Sequence, residues 1–331
     1  MGGCCCEDPN GIRNVPTDLR FEDRVGALKV RLGIGRNNYK VPPGLYSVGA
    51  PDGSSPVLVS ANYKLTFDSL RKELGGLDCY ILILDTKGIN VWCAAGKGTF
   101  GTDELVNRIA KTGLADVVSH RQLILPQLGA PGICAHEVKR RSGFGVIFGP
   151  VRAADIKAFL AAGMEATEEM RTVKFTMRDR TVLTPMEFIP AMKLSMLVFG
   201  SLFLANLVAS EPFGIKDVCV YMGAVIMGTV VTPMLLPFIP VRAFSLKGWI
   251  LGAIWTLYAV WSFGWLHNDI IAAAGYLFLL PSLSAFFAMN FTGASTYTSF
   301  SGVIKEMKRA VPIIIVTMVI GMILLIVGRV I

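Results

Sequence analysis

The charged residues of this chain thin out abruptly near Pro185. Of 56 Asp, Glu, Lys and Arg side chains, 43 lie in residues 1–185 and only 13 in the remaining 146. No single evenly mixed globule has that distribution. The break divides a domain that faces water from one whose solvent is lipid. It also accounts for a hydrophobic content of 53% and a mean hydropathy of +0.54, both too high for a wholly soluble chain.

Five apolar runs follow the break, at about 188–209, 215–238, 248–266, 270–291 and 312–330. Each approaches the roughly 20 residues that cross a bilayer as a helix. The connections between them alternate in charge. Arg171, Lys174, Arg178 and Arg180 precede the first run, Arg242 and Lys247 lie in the second connection, and Lys305, Lys308 and Arg309 in the fourth. The first connection carries only Glu211 and Lys216, the third only His267, Asn268 and Asp269. Basic connections stay on the cytoplasmic side. The pattern predicts a multi-pass protein of the cell membrane, with its N-terminal half in the cytoplasm and its C-terminus outside. The opening Met1-Gly2-Gly3-Cys4-Cys5-Cys6-Glu7 lacks the apolar core of a secretory signal, which agrees with that placement.

Ionisable groups inside the runs are scarce. Lys193 lies close enough to the start of the first run to snorkel. Pro233, Pro237 and Pro281, and the soft side chains Cys219, Met222, Met227 and Met234, favour packing over ion handling. This half is expected to be an anchor and docking platform. The net charge of +8 follows from topology, without a basic stripe interleaved with aromatics, so nucleic acid is not an expected partner.

Before the break the expected parts are an irregular segment 1–50, an α/β domain 51–170 and a basic linker 171–187. The membrane domain, 188–331, follows. Residues 1–50 are rich in Gly, Pro and Asn, with a strand allowed at 28–32. From residue 55, apolar strands alternate with helical patterns: strands at 57–59, 79–84, 123–125 and 145–148, helices at 66–74, 102–111, 135–141 and 153–162, and a last strand at 173–177. Alternation of this kind predicts a Rossmann-like parallel sheet covered on both faces. Ligands of such sheets sit at the carboxyl ends of strands. Those ends are Ser60-Ala61-Asn62, the stretch 85–97, the stretch 126–132 and Gly149-Pro150-Val151-Arg152.

Several familiar motifs fail on spacing. Gly96-Lys97-Gly98-Thr99-Phe100-Gly101 matches GxGxxG, but ten residues separate it from the strand ending at Asp85, whereas a dinucleotide fingerprint follows its strand directly. A Walker A loop needs glycine where Val91 stands. His120 and His136 have no second ligand at metal spacing, and core or surface roles suit them better than catalysis. The seven cysteines include no CxxC pair, so neither a zinc site nor an iron–sulfur ligand set is expected. Cys4, Cys5 and Cys6 suit metal capture and an incidental flexible tail equally. What remains is Cys93, sheltered between Trp92 and Ala94-Ala95 after the apolar strand.

The run Gly88-Ile89-Asn90-Val91-Trp92-Cys93-Ala94-Ala95-Gly96-Lys97 closely resembles the N(V/I)WCA(A/G)GK motif of the corrinoid membrane proteins of microbial mercury methylation, the HgcA family. The soluble part of that family is similar to the corrinoid-binding domain of the corrinoid iron–sulfur protein. The resemblance extends through Gly129-Ala130-Pro131-Gly132, Ala135-His136-Glu137-Val138-Lys139 and Gly149-Pro150-Val151-Arg152, and five spans after the domain fit it too. It implies an α/β corrinoid-binding domain followed by an all-α, five-helix transmembrane domain. It implies that residues 90–95 form a short cap helix over the lower face of the corrin, with Cys93 as axial cobalt ligand. Residues expected to hold the corrinoid are Asn90, Val91, Trp92, Cys93, Ala94, Ala95, Ser60, Asn62, Gln127, Gly129, Ala130, Gly132, His136, Gly149 and Val151. The DxHxxG motif of histidine-ligated corrinoid proteins is absent, which leaves Cys93 as the candidate.

The implied activity is a corrinoid-dependent methyltransferase passing a methyl group from cobalt to Hg(II), giving methylmercury. Hg(II) is a soft electrophile that must receive methyl with its electrons, and a thiolate trans to the methyl favours that direction. The implied partners are a ferredoxin-like iron–sulfur protein, as electron donor and mercury carrier, and a methyl-tetrahydrofolate-type donor system. Alternative readings are a membrane-tethered corrinoid methyl carrier of one-carbon metabolism with another acceptor, and a non-catalytic corrinoid or soft-metal binding protein.

Overall fold

The computed structural model describes residues 11–207, 212–294, 297–298 and 300–330. Cys4, Cys5, Cys6 and Glu211 lie outside the described residues. The chain forms two compact units that meet in sequence at Lys174 and Phe175, with Arg31–Gly33 grouped with the second.

The first unit is built on a six-stranded sheet. Its elements run β1 (Arg13–Asn14), α1 (Phe21–Arg31), β2 (Gly44–Val48), β3 (Val57–Ala61), α2 (Lys64–Arg71), β4 (Cys79–Leu84), α3 (Val91–Gly96), α4 (Thr102–Lys111), α5 (Leu114–Val117), β5 (Gln122–Leu125), α6 (Ala135–Ser142), β6 (Gly145–Phe148), α7 (Ile156–Ala161) and α8 (Glu168–Arg171). The strand order is β1-β2-β4-β3-β5-β6. Strands β4, β3, β5 and β6 are parallel, while β2 runs antiparallel to β4.

Every residue of Cys79–Leu84 is buried, and successive side chains enter opposite layers. Leu82 and Leu84 join Val57, Val59, Leu123 and Leu125 beneath α4 and α6. Ile81 and Ile83 join Leu58 and Ile124 beneath α2 and α7. Each such aliphatic side chain stabilises the fold by about 1.5–3 kcal/mol on full burial, so the β-branched and leucine-rich runs fix the sheet and both helical covers together.

Three expectations about this part of the chain change. The sheet is mixed, because the supposedly irregular stretch 11–50 supplies β1 and the antiparallel β2. The strand expected at 28–32 is the C-terminal part of α1. That helix is held by distant partners: Asp23 bonds Lys64 Nζ at 2.5 Å and Arg71 Nη2 at 2.7 Å, and Asp68 bonds the same two cations. The strand expected at 173–177 is irregular chain up to Thr176, after which a helix begins at Met177.

The second unit is helical: α9 (Met177–Asn206), α10 (Ile215–Ile226), a π-helical turn at Met227–Val231, α11 (Thr232–Leu235), α12 (Phe244–Ser262), α13 (Trp265–Asn268), α14 (Ile270–Asn290) and α15 (Phe300–Val330). Pro233 explains the π turn, since its ring displaces the carbonyl four residues earlier and removes a donor. Among the described residues, four segments are long and apolar enough to cross a membrane: Met177–Leu204, Ile215–Leu235, Ile270–Gly293 and Ser301–Gly328. The run expected at 248–266 corresponds to α12 and is not among them. Lys247 and the tryptophans and tyrosine at 249, 255, 258 and 261 lower its hydropathy. It nevertheless packs closely on α14, where a Cβ at Gly252 would lie 2.6 Å from Ser284 Cβ. Small residues at such crossings let two backbones approach.

Candidate functional site

The strand order places β3 between β4 and β5, so the β3–β4 and β4–β5 connections run in opposite directions across the sheet. A crevice opens where the order reverses, beyond the carboxyl ends of the parallel strands. Here it has a volume of about 310 Å³ and runs from Leu58–Ser60 of β3 to Ile124–Pro126 at the end of β5. Gly149, Pro150 and Val151 close one side, Thr66, Ser69 and Leu70 of α2 another, and Asn90, Val91 and Trp92 form part of the wall.

That last wall is built by hydrogen bonds. Asn62, 1% exposed just past β3, accepts from Thr86 N at 3.2 Å and Gly88 N at 2.9 Å, and donates to Asp85 Oδ1 at 3.1 Å. Glu104 of α4 accepts from Asp85 N at 2.8 Å. The loop between β4 and α3 is thereby fixed at both ends of its turn. Asn90 then caps α3: its side chain accepts from Cys93 N at 2.9 Å. An Asn at this position satisfies an otherwise orphaned helical N–H.

Helix α3 buries Val91, Ala94 and Ala95 in the core and leaves Trp92 exposed and Cys93 half-buried. The 3₁₀ segment Gln127–Gly132 lies against it. A Cβ at Gly132 would come within 2.1 Å of Phe100 O and 3.1 Å of Ala95 Cα, so only glycine fits there. Gly129 is similarly confined by the Phe100 ring.

Of the residues expected to hold a ligand, Ser60, Asn90, Val91, Trp92, Gly149 and Val151 line the crevice. Cys93 follows them directly on α3. Ala94 and Ala95 face the core, and Asn62, Gly129 and Gly132 brace the site from behind. Gln127 and Ala130 are half-buried in the 3₁₀ segment and are not among the lining residues. His136 is exposed on α6, beside a Glu137–Arg140 pair of 2.7 Å. His120 Nε2 bonds Ser55 O at 2.9 Å, a structural role. Thr66 and Ser69 were not anticipated. Their signal was two hydroxyls at i and i+3 on a helix whose neighbouring Phe67 and Leu70 are apolar.

The thiols differ sharply in setting. Burial, with Asp78 nearby, pushes the Cys79 thiol up to about 12, which keeps it protonated and inert. Cys93 is half-buried and follows the crevice-lining Trp92 on α3 without itself lining the crevice, and its backbone N–H is anchored by Asn90. Among the described residues no three His, Cys, Asp or Glu side chains gather as a metal site. Cys93 offers one half-buried soft donor.

Residues 33–160 match the family described as CO dehydrogenase/acetyl-CoA synthase delta subunit. The acetyl-CoA decarbonylase/synthase complex subunit gamma of Methanopyrus kandleri is 33% identical over 127 residues, 38% of this chain and 27% of the relative. The corrinoid/iron-sulfur protein large subunit of Moorella thermoacetica is 31% identical over 127 residues, 38% of this chain and 28% of the relative. The gamma 2 subunit of Methanosarcina thermophila is 34% identical over 111 residues, 32% and 23%. The chain thus spans about a quarter of the length of the relatives it matches, and the α/β unit carries the family match.

Proposed function

We propose that the Rossmann-like α/β unit binds a corrinoid at the β3/β5 crevice, with Cys93 as the protein's ligand to cobalt. We further infer that the chain is a membrane-held methyltransferase whose acceptor is Hg(II). The observation that carries this reading is the position of Cys93: a half-buried thiol beside a switch-point crevice, on a short helix pinned by Asn90, Asn62 and Gly132. The relatives include one named for a corrinoid, and the WCAAGK stretch resembles the mercury-methylation family. The donor set fits cobalt in a corrin, since one thiolate is the single protein ligand such a metal needs. The crevice, at about 310 Å³, sits at the lower end of small-molecule sites and suits part of so large a ligand.

A bound corrinoid would supply methyl-transfer chemistry, and Cys93 would hold its cobalt as a soft, electron-donating protein ligand. The chain's own residues do the holding. Asn90 fixes the backbone at Cys93, Val91 and Trp92 exclude water, and Ser60, Thr66, Ser69 and Asn90 offer hydroxyl and amide contacts to a polar periphery. Electrons come from a ferredoxin-like iron–sulfur partner that also brings mercury, and the methyl group from a methyl-tetrahydrofolate-type system. In this reading α12 is a fifth span, its outward face carrying exposed Trp249, Leu257, Tyr258 and Trp261. The α/β unit is cytoplasmic and the C-terminus outside.

A second reading rests on the relatives' names, which are subunits of acetyl-CoA decarbonylase/synthase complexes: a membrane-tethered methyl carrier of one-carbon metabolism. Simple corrinoid or soft-metal binding without turnover is the third. The test is the purified full-length protein reconstituted with methylcobalamin as the source of the methyl group, together with a reductant. Absorption bands that shift in Cys93→Ala, with methyl transfer to Hg(II) exceeding transfer to thiol acceptors, are expected. Unshifted bands sink the ligand assignment; preferred thiol methylation sinks mercury as acceptor; bands without turnover favour the third reading.

A further inference from the structure

Two basic connections, distant in sequence, meet within the helical unit. Arg242 precedes α12, and Lys305 and Arg309 lie in the first turns of α15. They are tied by one carboxylate: Glu306 Oε1 accepts from Ser245 N at 2.6 Å and Ser245 Oγ at 2.8 Å. Between them lies a cavity of about 1250 Å³. Its lining has two characters. Arg242, Lys305 and Arg309 are exposed cations, while Leu236, Ile239, Phe244 and Ile313 form an apolar wall. Lys247 also lines it but directs Nζ to the carbonyls of Leu236 and Ile239, the latter at 3.0 Å. Glu306 is the cavity's one lining carboxylate among the described residues, and Ser245 occupies it. Three cations are left facing the space.

We propose that this cavity binds the phosphate headgroup of an anionic phospholipid. It opens at the ends of the membrane-crossing segments Ile215–Leu235 and Ser301–Gly328, the level at which headgroups lie. Guanidinium groups pair with phosphate through parallel N–H donors, and basic pockets between transmembrane helices hold such headgroups. A free phosphate ion would use the cations and leave the apolar wall without a role. A lipid uses both, its glycerol and upper chains lying along Leu236, Phe244 and Ile313. The site is independent of whatever the α/β unit carries.

The test is native mass spectrometry of the full-length protein in detergent, titrated with phosphatidylglycerol and, separately, phosphatidylcholine. Preferential retention of one phosphatidylglycerol per chain is expected. Arg242→Gln and Arg309→Gln should each weaken it about fivefold, the usual effect of one cation at a lipid surface. Lys308→Gln, outside the cavity, should leave it unchanged. Glu306→Gln keeps an acceptor for Ser245 but removes the negative charge, so it should tighten binding; a gain cannot arise from misfolding. Equal retention of the two lipids, or indifference to Arg242 and Arg309, overturns the proposal. So does displacement of phosphatidylglycerol by inorganic phosphate alone, which would mark a free-anion site. Binding of an acidic protein partner that phosphatidylglycerol fails to compete overturns it equally.

Discussion

Cys79 and Cys93 sit on consecutive elements, β4 and α3, yet the fold gives them opposite chemistry. Cys79 opens a strand that is buried throughout, and its thiol is pushed up to about 12. Cys93 lies on a helix of six residues whose core face is only Val91, Ala94 and Ala95. Packing alone locates the first region. Hydrogen bonds from Asn62, Glu104 and Asn90 locate the second, together with a glycine that nothing larger can replace. A residue held by packing is insulated, while one held by its backbone keeps its side chain available.

The sharpest way to break this contrast is to remove each thiol. Cys93→Ala should reduce methyl transfer from the reconstituted protein to the level without protein, and Cys79→Ala should retain it. Loss of activity in both, with folding intact, would erase the distinction. The next largest effect is reactivity. Iodoacetamide at mildly alkaline pH should label Cys93 well before Cys79, since the thiolate is the nucleophile and burial pushes the Cys79 thiol up to about 12. Peptide mapping resolves the two from the exposed Cys134 and Cys219.

The same contrast explains what was legible beforehand. The strands Cys79–Leu84 and Gly145–Phe148 and the helix Thr102–Lys111 were evident because short-range apolar patterning determines them. Cys93 stood out through its motif. Hidden were features set by contacts distant in sequence. Helix α1 reads locally as Gly-interrupted and strand-like, and its Asp23 partners lie 41 and 48 residues away. Asn62 looked like a ligand contact because it ends a strand; only the fold reveals that its amide is consumed by Thr86, Gly88 and Asp85. Nor does the sequence show that Gly129 and Gly132 are confined by Phe100 and Ala95, which lets their segment pack against α3. The run 248–266 reads as a span from its apolar length, while the Lys and aromatic content of α12 lowers its mean hydropathy.

A smaller effect probes the bracing directly. Asn62→Ala strips acceptors from the N–H groups of Thr86 and Gly88, at about 1–3 kcal/mol for each buried donor left unsatisfied. It should destabilise the α/β unit by about 2–4 kcal/mol and lower the affinity for cobalamin, with Cys93 untouched. Pulse proteolysis in urea measures the first and equilibrium binding the second. If affinity is unchanged while stability falls, the position of Cys93 does not depend on the loop, and the idea of a backbone-held thiol fails.

The smallest effect is in the pH dependence and belongs to Cys79. Its folded thiol titrates near 12, above the ordinary value of 9.0. Between these values the unfolded chain gives up its proton and the folded chain keeps it, so the unfolded state binds fewer protons and stability falls as pH rises, by up to about 1.4 kcal/mol per unit. Below 9.0 the contribution is fully present; above about 12 it is gone. Cys79→Ala should be less stable than the parent near neutrality, by about 1 kcal/mol for the lost packing, and should lack this alkaline decline. The two urea midpoints should therefore converge as pH rises above 9.0, meet near about pH 10 and have changed order by about pH 11. Lys64 also loses stabilisation in alkali: burial lowers its pKa, but the bonds to Asp23 and Asp68 outweigh that and raise it. Both proteins share that loss, so their difference isolates the thiol. A constant gap across the range would mean that Cys79 is reached by water, and that β4 does not insulate it as its burial requires.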